Sequence, residues 1–226
     1  MTHTVHPYAH RLGIIRDWKS RWFQVGKNYK DSLRVDVLLR EYLMKRLKGM
    51  HIAVIEFERK SQMLKVIIKT ARPGMIIGRQ GEGSVKLKND IEAFVRKLKV
   101  PIKEIRVDIE EVRSPESNAA VVSQMIAEAL EKRLPFKRVM KQAIDKVMAN
   151  KQVKGVRIAL SGRLGGAEMG RNEKLKAGTI PLQTFRADVE FARARALLPY
   201  GTIGVKVWIY KGLIFVEKDP KKKINS

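Results

Sequence analysis

Two glycines separated by two long polar residues form the most informative short stretch of this chain. Gly78 and Gly81 flank Arg79 and Gln80, and two isoleucines precede the first glycine. Glycines at both ends let a polymer backbone lie close against such a loop. A helix is predicted to begin near Glu82, and the free N–H groups at a helix N-terminus favour a phosphate. The stretch therefore predicts a loop that clamps a phosphate backbone.

The residue types needed for catalysis or for metal binding are scarce. The chain has no cysteine and four histidines, and three of these, His3, His6 and His10, lie near the N-terminus with no carboxylate close by. Thiolate metal sites and disulfides are therefore impossible, and general acid–base chemistry is poorly supplied. Lysines are numerous, but no pattern indicates how the pKa of one would be lowered to make a nucleophile. We predict no catalytic residue, no metal and no cofactor.

The charge balance indicates a polyanionic partner. The 226 residues include 47 Lys and Arg against 23 Asp and Glu, which gives a net charge of +24. One-signed charge of this size repels itself and attracts polyanions, with nucleic acid as the leading class. An anionic membrane is a weaker alternative, because no basic amphipathic anchor stands apart from the fold. The sequence shows neither an apolar signal core nor a long apolar run, which predicts a cytoplasmic protein.

The elements around the glycine loop predict a small α+β domain over residues 32–112. A helix with Ser32 as its N-cap is followed by strands at 51–59 and 62–70, a helical turn, the loop, a second helix and a strand at 102–110. This order resembles the type II KH domain, in which helices pack on a three-stranded sheet and a GxxG loop grips single-stranded nucleic acid. The residues predicted to bind RNA there are Arg72, Gly78, Arg79, Gln80, Gly81, Lys86 and Lys88.

A second α+β domain is predicted over residues 113–212. Two amphipathic helices come first, and strands at 153–160, 182–190 and 203–210 follow, with a helix expected at 191–198. The two helices are expected to pack on a mixed or antiparallel sheet. A basic tail over residues 213–226, with few apolar residues, is expected to be disordered.

Two parts of this second domain carry residues suited to RNA. Lys137, Arg138 and Lys141 share one face of the second helix, although an ordinary solvated face is the alternative. A glycine-rich stretch over residues 161–171 lacks the lysine and hydroxyl pair of a P-loop. It predicts a turn that lets the backbone approach RNA, with a plain hairpin turn as the alternative. Its predicted RNA-binding residues, with one that follows, are Arg163, Gly165, Gly166, Arg171 and Lys174.

The N-terminal arm over residues 1–31 mixes basic and aromatic residues. Guanidinium and indole groups side by side suit contact with phosphates and stacking on bases, although the tryptophans could equally be packing anchors. The residues of this arm predicted to bind RNA are Arg11, Arg16, Trp18, Lys19, Arg21 and Trp22.

Six motifs together carry a family resemblance that spans nearly the whole chain. They lie at residues 12–22, 70–74, 77–81, 110–113, 161–168 and 204–212. In this order they resemble the bacterial ribosomal protein S-three family, the KH proteins of the small-subunit head. Two departures stand out: Gln80 replaces a basic residue of the family loop, and residues 191–199 replace a more polar family segment.

The resemblance implies a structural protein of the small ribosomal subunit that is neither an enzyme nor a homo-oligomer and has no membrane partner. It implies binding to small-subunit ribosomal RNA and to the neighbouring head proteins S-ten and S-fourteen. It also implies that Lys137, Arg138 and Lys141 hold and help to unwind messenger RNA where it enters the subunit. The alternatives are a DNA-repair nuclease or abasic-site lyase, and a free KH-type regulator of messenger RNA.

Overall fold

The structure is a computed structural model that describes residues 5–60, 63–98, 102 and 104–214. His3 and residues 215–226 of the predicted tail lie outside the described residues. The helices are α1 Pro7–His10, α2 Lys27–Arg46, α3 Pro73–Ile77, α4 Glu82–Lys97, α5 Ala119–Glu131 and α6 Phe136–Met148. The strands are β1 Ser20–Arg21, β2 Ile52–Lys60, β3 Met63–Thr70, β4 Glu104–Glu111, β5 Gly155–Gly162, β6 Arg171–Gly178, β7 Ala187–Leu198 and β8 Gly201–Leu213.

The first unit has the element order and the α+β class that the sequence predicts. Its sheet has the order β1-β2-β3-β4, in which β3 pairs antiparallel with β2 and parallel with β4. Helices α2 and α4 bury one stripe each against this sheet, around Leu39, Phe57 and Ile91. The arm adds a fourth, two-residue strand, because β1 pairs parallel with β2. Apolar alternation along the strands places one face of the sheet in a single core.

The start of α2 corrects the prediction made from its N-cap. The helix begins at Lys27, and Ser32 is a buried residue inside it whose hydroxyl donates a hydrogen bond to Gln24 Oε1 at 2.5 Å. The N-cap is Gly26, with no side-chain hydrogen bond. The first turn of α2 is exposed apart from the packing of Tyr29 on Trp22. An exposed turn carries no apolar stripe, so periodicity could not reveal it.

The second unit is an antiparallel sheet with helices α5 and α6 on one face. Its strand order is β6-β5-β8-β7, and all three pairings are antiparallel. Side chains at alternate positions, including Val156, Ile158 and Leu160, form a continuous core with Ile126 and Met140 of the two helices. The sheet predicted as mixed or antiparallel is therefore antiparallel.

Two elements of this sheet differ from the prediction. The helix expected at residues 191–198 is wrong, because these residues belong to β7. Ala192, Ala194 and Ala196 point into the core, whereas Arg193 and Arg195 are exposed. Alanine favours helices, but strand pairing and the burial of every second side chain outweigh that preference here. Strand β6 was not predicted, because half of the eight residues of this edge strand are charged and six are exposed.

Candidate nucleic-acid interface

The glycine loop has the open geometry that backbone binding requires. Gly78, Gln80 and Gly81 have φ values of 71°, 52° and 82°, which lie in the left-handed region. Arg79 and Gln80 are both exposed. Helix α4 starts directly after Gly81, and no side chain caps its N-terminus. The free N–H groups of its first turn therefore face the same space as Arg79, which suits a phosphate.

A third glycine, which the sequence reasoning missed, makes this geometry possible. A Cβ atom at Gly83 would lie 2.4 Å from the carbonyl oxygen of Ile76 and 2.8 Å from that of Ile77. Only glycine therefore lets the start of α4 pack directly on the end of α3. The spacing of Gly78, Gly81 and Gly83 was the available signal.

Exposed apolar side chains beside the loop offer contacts for bases. Met75 and Ile77 on α3 are 54% and 38% exposed, and Val85 on α4 is 58% exposed. The other predicted residues here, Arg72, Lys86 and Lys88, are exposed as well, and Lys86 pairs with Glu82 at 3.3 Å. Basic groups that can contact phosphates, next to an apolar surface, suit a single strand, because its unstacked bases can pack on the apolar side chains.

We expect the double change Arg79→Asp with Gln80→Asp to weaken binding of a short single-stranded RNA at least about tenfold, because it places negative charge against phosphates. Both side chains are exposed, and aspartate tolerates the left-handed backbone of position 80, so thermal melting should stay close to that of wild type. A binding titration by fluorescence anisotropy tests this. Unchanged affinity would show that the loop does not contact RNA.

A simpler variant, Gly78→Asp, is unsuitable for this test. Gly78 has φ 71° and ψ −172°, a backbone conformation that is essentially restricted to glycine. A Cβ atom there would also lie 3.2 Å from the backbone nitrogen of Gly83. The change would therefore strain the fold as well as repel RNA, and the two effects could not be separated.

The three basic residues of α6 stand together on the exposed side of a well-packed helix. Lys137, Arg138 and Lys141 are exposed, while Val139 and Met140 between them are 5% and 1% exposed. Within the described part of the chain, none of the three cations forms an ion pair. The helix thus holds three uncompensated charges in a fixed arrangement.

The glycine-rich turn lies next to the start of α6. The guanidinium of Arg171 sits over the ring of Phe136 at 5.4 Å, and a Cβ at Gly165 would touch the same ring at 4.0 Å. Gly165 and Gly166 are exposed with φ values of 70° and 80°. Phe136 therefore joins two predicted RNA-binding segments into one surface.

Two further residues of this segment have different surroundings. Arg163 is half-buried, and it donates hydrogen bonds to the carbonyl oxygens of Ala167 at 2.8 Å and Tyr200 at 3.2 Å. These bonds tie the turn to the connection between β7 and β8, so Arg163 holds the turn in shape. Lys174 is exposed on β6.

Arg11 is a correction to the predicted RNA-binding arm. Its side chain is fully buried, and its guanidinium donates to five backbone carbonyl oxygens at 2.6–3.2 Å. Four of these acceptors belong to residues 181–187 of the second unit, and the fifth is Pro7. The buried guanidinium cannot reach RNA, and Arg11 instead docks the arm on the second unit.

The other predicted arm residues divide into anchors and exposed groups. Arg16 pairs with Asp188 at 2.5 Å. Trp22 is half-buried and donates through Nε1 to Asp36 Oδ2 at 2.6 Å, which makes it a packing anchor. The exposed groups are Trp18, which is 61% exposed, together with Lys19 and Arg21.

Arg21 is exposed but not free. It forms ion pairs with Asp17 at 2.8 Å, Glu58 at 3.1 Å and Glu56 at 3.5 Å. These partners hold it beside β2 of the first unit. Any phosphate contact by Arg21 would have to compete with three carboxylates, so Trp18 and Lys19 are the arm residues best placed to reach a ligand.

The structure offers no grouping for other chemistry in the residues it describes. In residues 5–60, 63–98, 102 and 104–214, no three His, Cys, Asp or Glu side chains come together as a metal site. None of the described helices combines the length and apolar character that crossing a membrane requires.

Comparison with known proteins adds two family matches, one for each unit. Residues 38–117 match the KH domain, and residues 126–209 match the family described as "Ribosomal protein S3, C-terminal domain".

Full-length relatives agree with the two matches. The chain is 42% identical to the small ribosomal subunit protein uS3 of Clostridium novyi over 226 residues, which is 100% of this chain and 98% of that protein. It is 45% identical to the protein of the same name from Alcanivorax borkumensis over 212 residues, covering 94% and 89% of the two chains. The uS3 protein of Clostridium tetani is 42% identical to this chain over 227 residues, and the match covers 100% of both proteins.

Proposed function

The chain belongs to the uS3 family of small ribosomal subunit proteins, and from this premise we propose that it binds ribosomal RNA in the head of that subunit and holds messenger RNA where it enters. The observation that carries the second part is the exposed group of Lys137, Arg138 and Lys141 on α6, which forms no ion pair with any residue that the structure describes. Helices position charges more precisely than loops do.

Messenger RNA binding by α6 follows from the charge and the rigidity of its exposed side. The helix is anchored by Met140 and Val147, which are each 1% exposed. Three cations within about one helical turn can contact neighbouring phosphates without any rearrangement of the backbone. The contact is independent of sequence, since phosphate contacts position a strand without reading its bases. That suits a protein which must accept every messenger.

Ribosomal RNA binding is assigned to the glycine-rich turn and to the exposed part of the arm. Gly165 and Gly166 leave the backbone of the turn open, and Arg171 stands beside them on β6. Trp18 is 61% exposed on the arm, and Lys19 is exposed beside it with its ammonium over the ring of Tyr8 at 4.8 Å. The KH loop is a further single-strand site, in which Gln80 supplies hydrogen bonds but no charge. The large positive charge of the chain supports all of these contacts.

The remaining parts of the proposal concern partners and mode of action. We propose contacts with the neighbouring head proteins S-ten and S-fourteen, a location in the cytoplasm as part of the small subunit, and action by binding alone.

The test removes the three charges of α6 and measures the rate at which ribosomes translate a messenger RNA that contains a stable hairpin. Lys137→Ala, Arg138→Ala and Lys141→Ala together touch no core residue, so unfolding should change by no more than about 0.5 kcal/mol per site. Reconstituted subunits carrying this variant should assemble normally. They should translate an unstructured template at nearly the wild-type rate and a hairpin template several-fold more slowly.

A charge-matched control is available in the first unit. Lys45, Lys60 and Lys97 are exposed and form no ion pair in the described part of the chain, so their replacement by alanine removes the same charge elsewhere. This control should slow neither template. Equal slowing of both templates by the α6 variant, or failure of its subunits to assemble, would show that this side of α6 binds ribosomal RNA or a protein instead.

A further inference from the structure

The second sheet has an outer face, on the opposite side from α5 and α6, that the proposed function leaves unused. Along β5, Val156, Ile158 and Leu160 enter the core, so Arg157 and Ser161 point to the other side. The strand register extends this face across all four strands.

Six cations lie on this outer face and form what we call the cationic sheet surface. The strand register pairs Lys174 of β6 with Ala159 of β5, and it pairs Lys206 of β8 with both Ala159 and Arg193 of β7. Three of the cations therefore lie in one row across the sheet. Five of the six are exposed and Arg157 is half-buried. The six are Arg157, Lys174, Lys176, Arg193, Arg195 and Lys206.

No negative charge offsets this surface. The register places Asn172, Ser161, Thr202 and Gly204 among the cations, and no Asp or Glu occupies the same face of the four strands. Within the described residues, none of the six cations takes part in an ion pair. Clustered like charges repel one another and lower the stability of the folded state. An anionic ligand bound to the cluster would remove this repulsion.

The adjoining part of the same face is already covered, which limits the surface on one side. Ala187, Val189 and Trp208 form a small buried cluster there, under residues of the 180–182 segment. The ring of His6 packs edge-on against Phe191 at 4.7 Å. Burial, followed by the positive charges of Arg193 and Lys19, lowers the pKa of His6, which is consistent with a positive potential at this boundary.

The shape of the surface indicates which anion it fits. Four strands about 4.8 Å apart give a surface roughly 14 Å wide. Gly204 lies in this surface and has no side chain, so a nucleic-acid backbone can approach closely there. Ala159 on the neighbouring strand is 9% exposed and belongs to the buried cluster. Trp208 is 7% exposed and Phe191 packs on it at 5.0 Å, so neither ring is free to stack on an unpaired base. Single-strand binding usually depends on such stacking.

We propose that the cationic sheet surface binds the sugar–phosphate backbone of double-stranded RNA. This inference rests on the proposed function, that the chain binds ribosomal RNA, and it assigns a site and a structural class of RNA to it. The surface lies on the opposite side of the sheet from α6. The second unit would then lie between a ribosomal RNA duplex on one side and messenger RNA on the other.

The experiment uses the full chain and three substitutions in one row of the surface, Lys174→Gln, Arg193→Gln and Lys206→Gln. Glutamine is polar and uncharged, so each change removes the charge and leaves a somewhat shorter polar side chain. Binding to a 20-base-pair RNA duplex and to a single strand of 20 nucleotides is titrated over a range of salt concentrations. We expect duplex affinity to fall at least about tenfold and its log–log salt slope to become shallower by about 3, while single-strand affinity changes less than about threefold.

The matched control carries Lys45→Gln, Lys60→Gln and Lys97→Gln, which remove the same charge from the first unit. It should change the duplex slope by less than about 1. Thermal melting of both variants should match wild type, since all six side chains are exposed and unpaired. An unchanged duplex slope for the sheet variant would overturn the inference, as would an equal loss of duplex and single-strand affinity.

Sedimentation with small-subunit particles keeps this test separate from the proposed function. If the wild-type chain fails to join the particles, the proposed function itself is wrong. If the wild type joins them and the sheet variant keeps full duplex affinity, only the assignment of this surface fails.

Discussion

Replacing Asp36 with alanine is expected to lower the free energy of unfolding by about 3–5 kcal/mol, because it leaves the guanidinium of Arg59 buried without its partner. The side chains of Asp36 and Arg59 are 4% and 6% exposed, and Arg59 Nε lies 3.1 Å from Asp36 Oδ1. The other carboxylate oxygen accepts the indole N–H of Trp22 at 2.6 Å. The change thus removes the group that joins α2, β2 and the arm.

Asp31→Ala is the matched control for this prediction. Asp31 belongs to the same helix as Asp36 but is exposed and makes no ion pair within the described residues. Its replacement should alter the unfolding free energy by no more than about 0.5 kcal/mol. Chemical denaturation of both variants gives the comparison. A difference between them below about 1 kcal/mol would mean that water reaches the Arg59 guanidinium and that the pair is not truly buried.

Replacing Arg11 with alanine is expected to destabilise the protein by at least about 3 kcal/mol, since five backbone carbonyls lose a charged donor. Unpaired buried acceptors cost about 1–3 kcal/mol each, and undocking of the arm would limit the total by returning them to water. We therefore expect two signals: a lower melting temperature, and faster proteolysis within residues 5–25.

The control for the Arg11 variant is Arg34→Ala on the exposed side of α2. It removes the same side chain and charge, and it should leave both melting and proteolysis unchanged. Arg11→Lys separates charge from geometry, because one ammonium group cannot reach carbonyls that a planar guanidinium bridges. Lysine should therefore restore little of the lost stability. Full recovery with lysine would show that the charge alone holds the arm in place.

These two variants address one architectural feature, the arm as a connector of the two units. Arg11 holds it to the second unit, whereas Trp22 and β1 hold it to the first. The units also meet directly, because the amide of Gln124 on α5 exchanges two hydrogen bonds with the backbone of Ile52 on β2, at 2.7 and 3.1 Å. The surfaces that we propose to bind RNA are therefore held in one arrangement by buried polar contacts.

The sequence by itself determined the class of partner, the order of elements around the glycine loop and the basic side of α6. Each depends on local information. Net charge is a sum over residues and needs no knowledge of the fold. Apolar periodicity indicates which side of a single helix or strand is buried. A pair of glycines indicates a local turn. Lys137, Arg138 and Lys141 were found because a helix brings residues three and four apart together without help from the rest of the chain.

Only the tertiary structure decided which basic side chains of the arm are exposed and how the second sheet is built. Arg11 and Lys19 look equivalent in the sequence, yet one is buried among carbonyls of residues 181–187 and the other is exposed. Residues 191–198 are predicted as a helix from the sequence but belong to strand β7, because their pairing with β8 is a contact between segments, which alanine propensity cannot report. The cationic sheet surface has the same origin. Its cations are up to 49 positions apart in sequence, from Arg157 to Lys206, and strand register alone places them side by side.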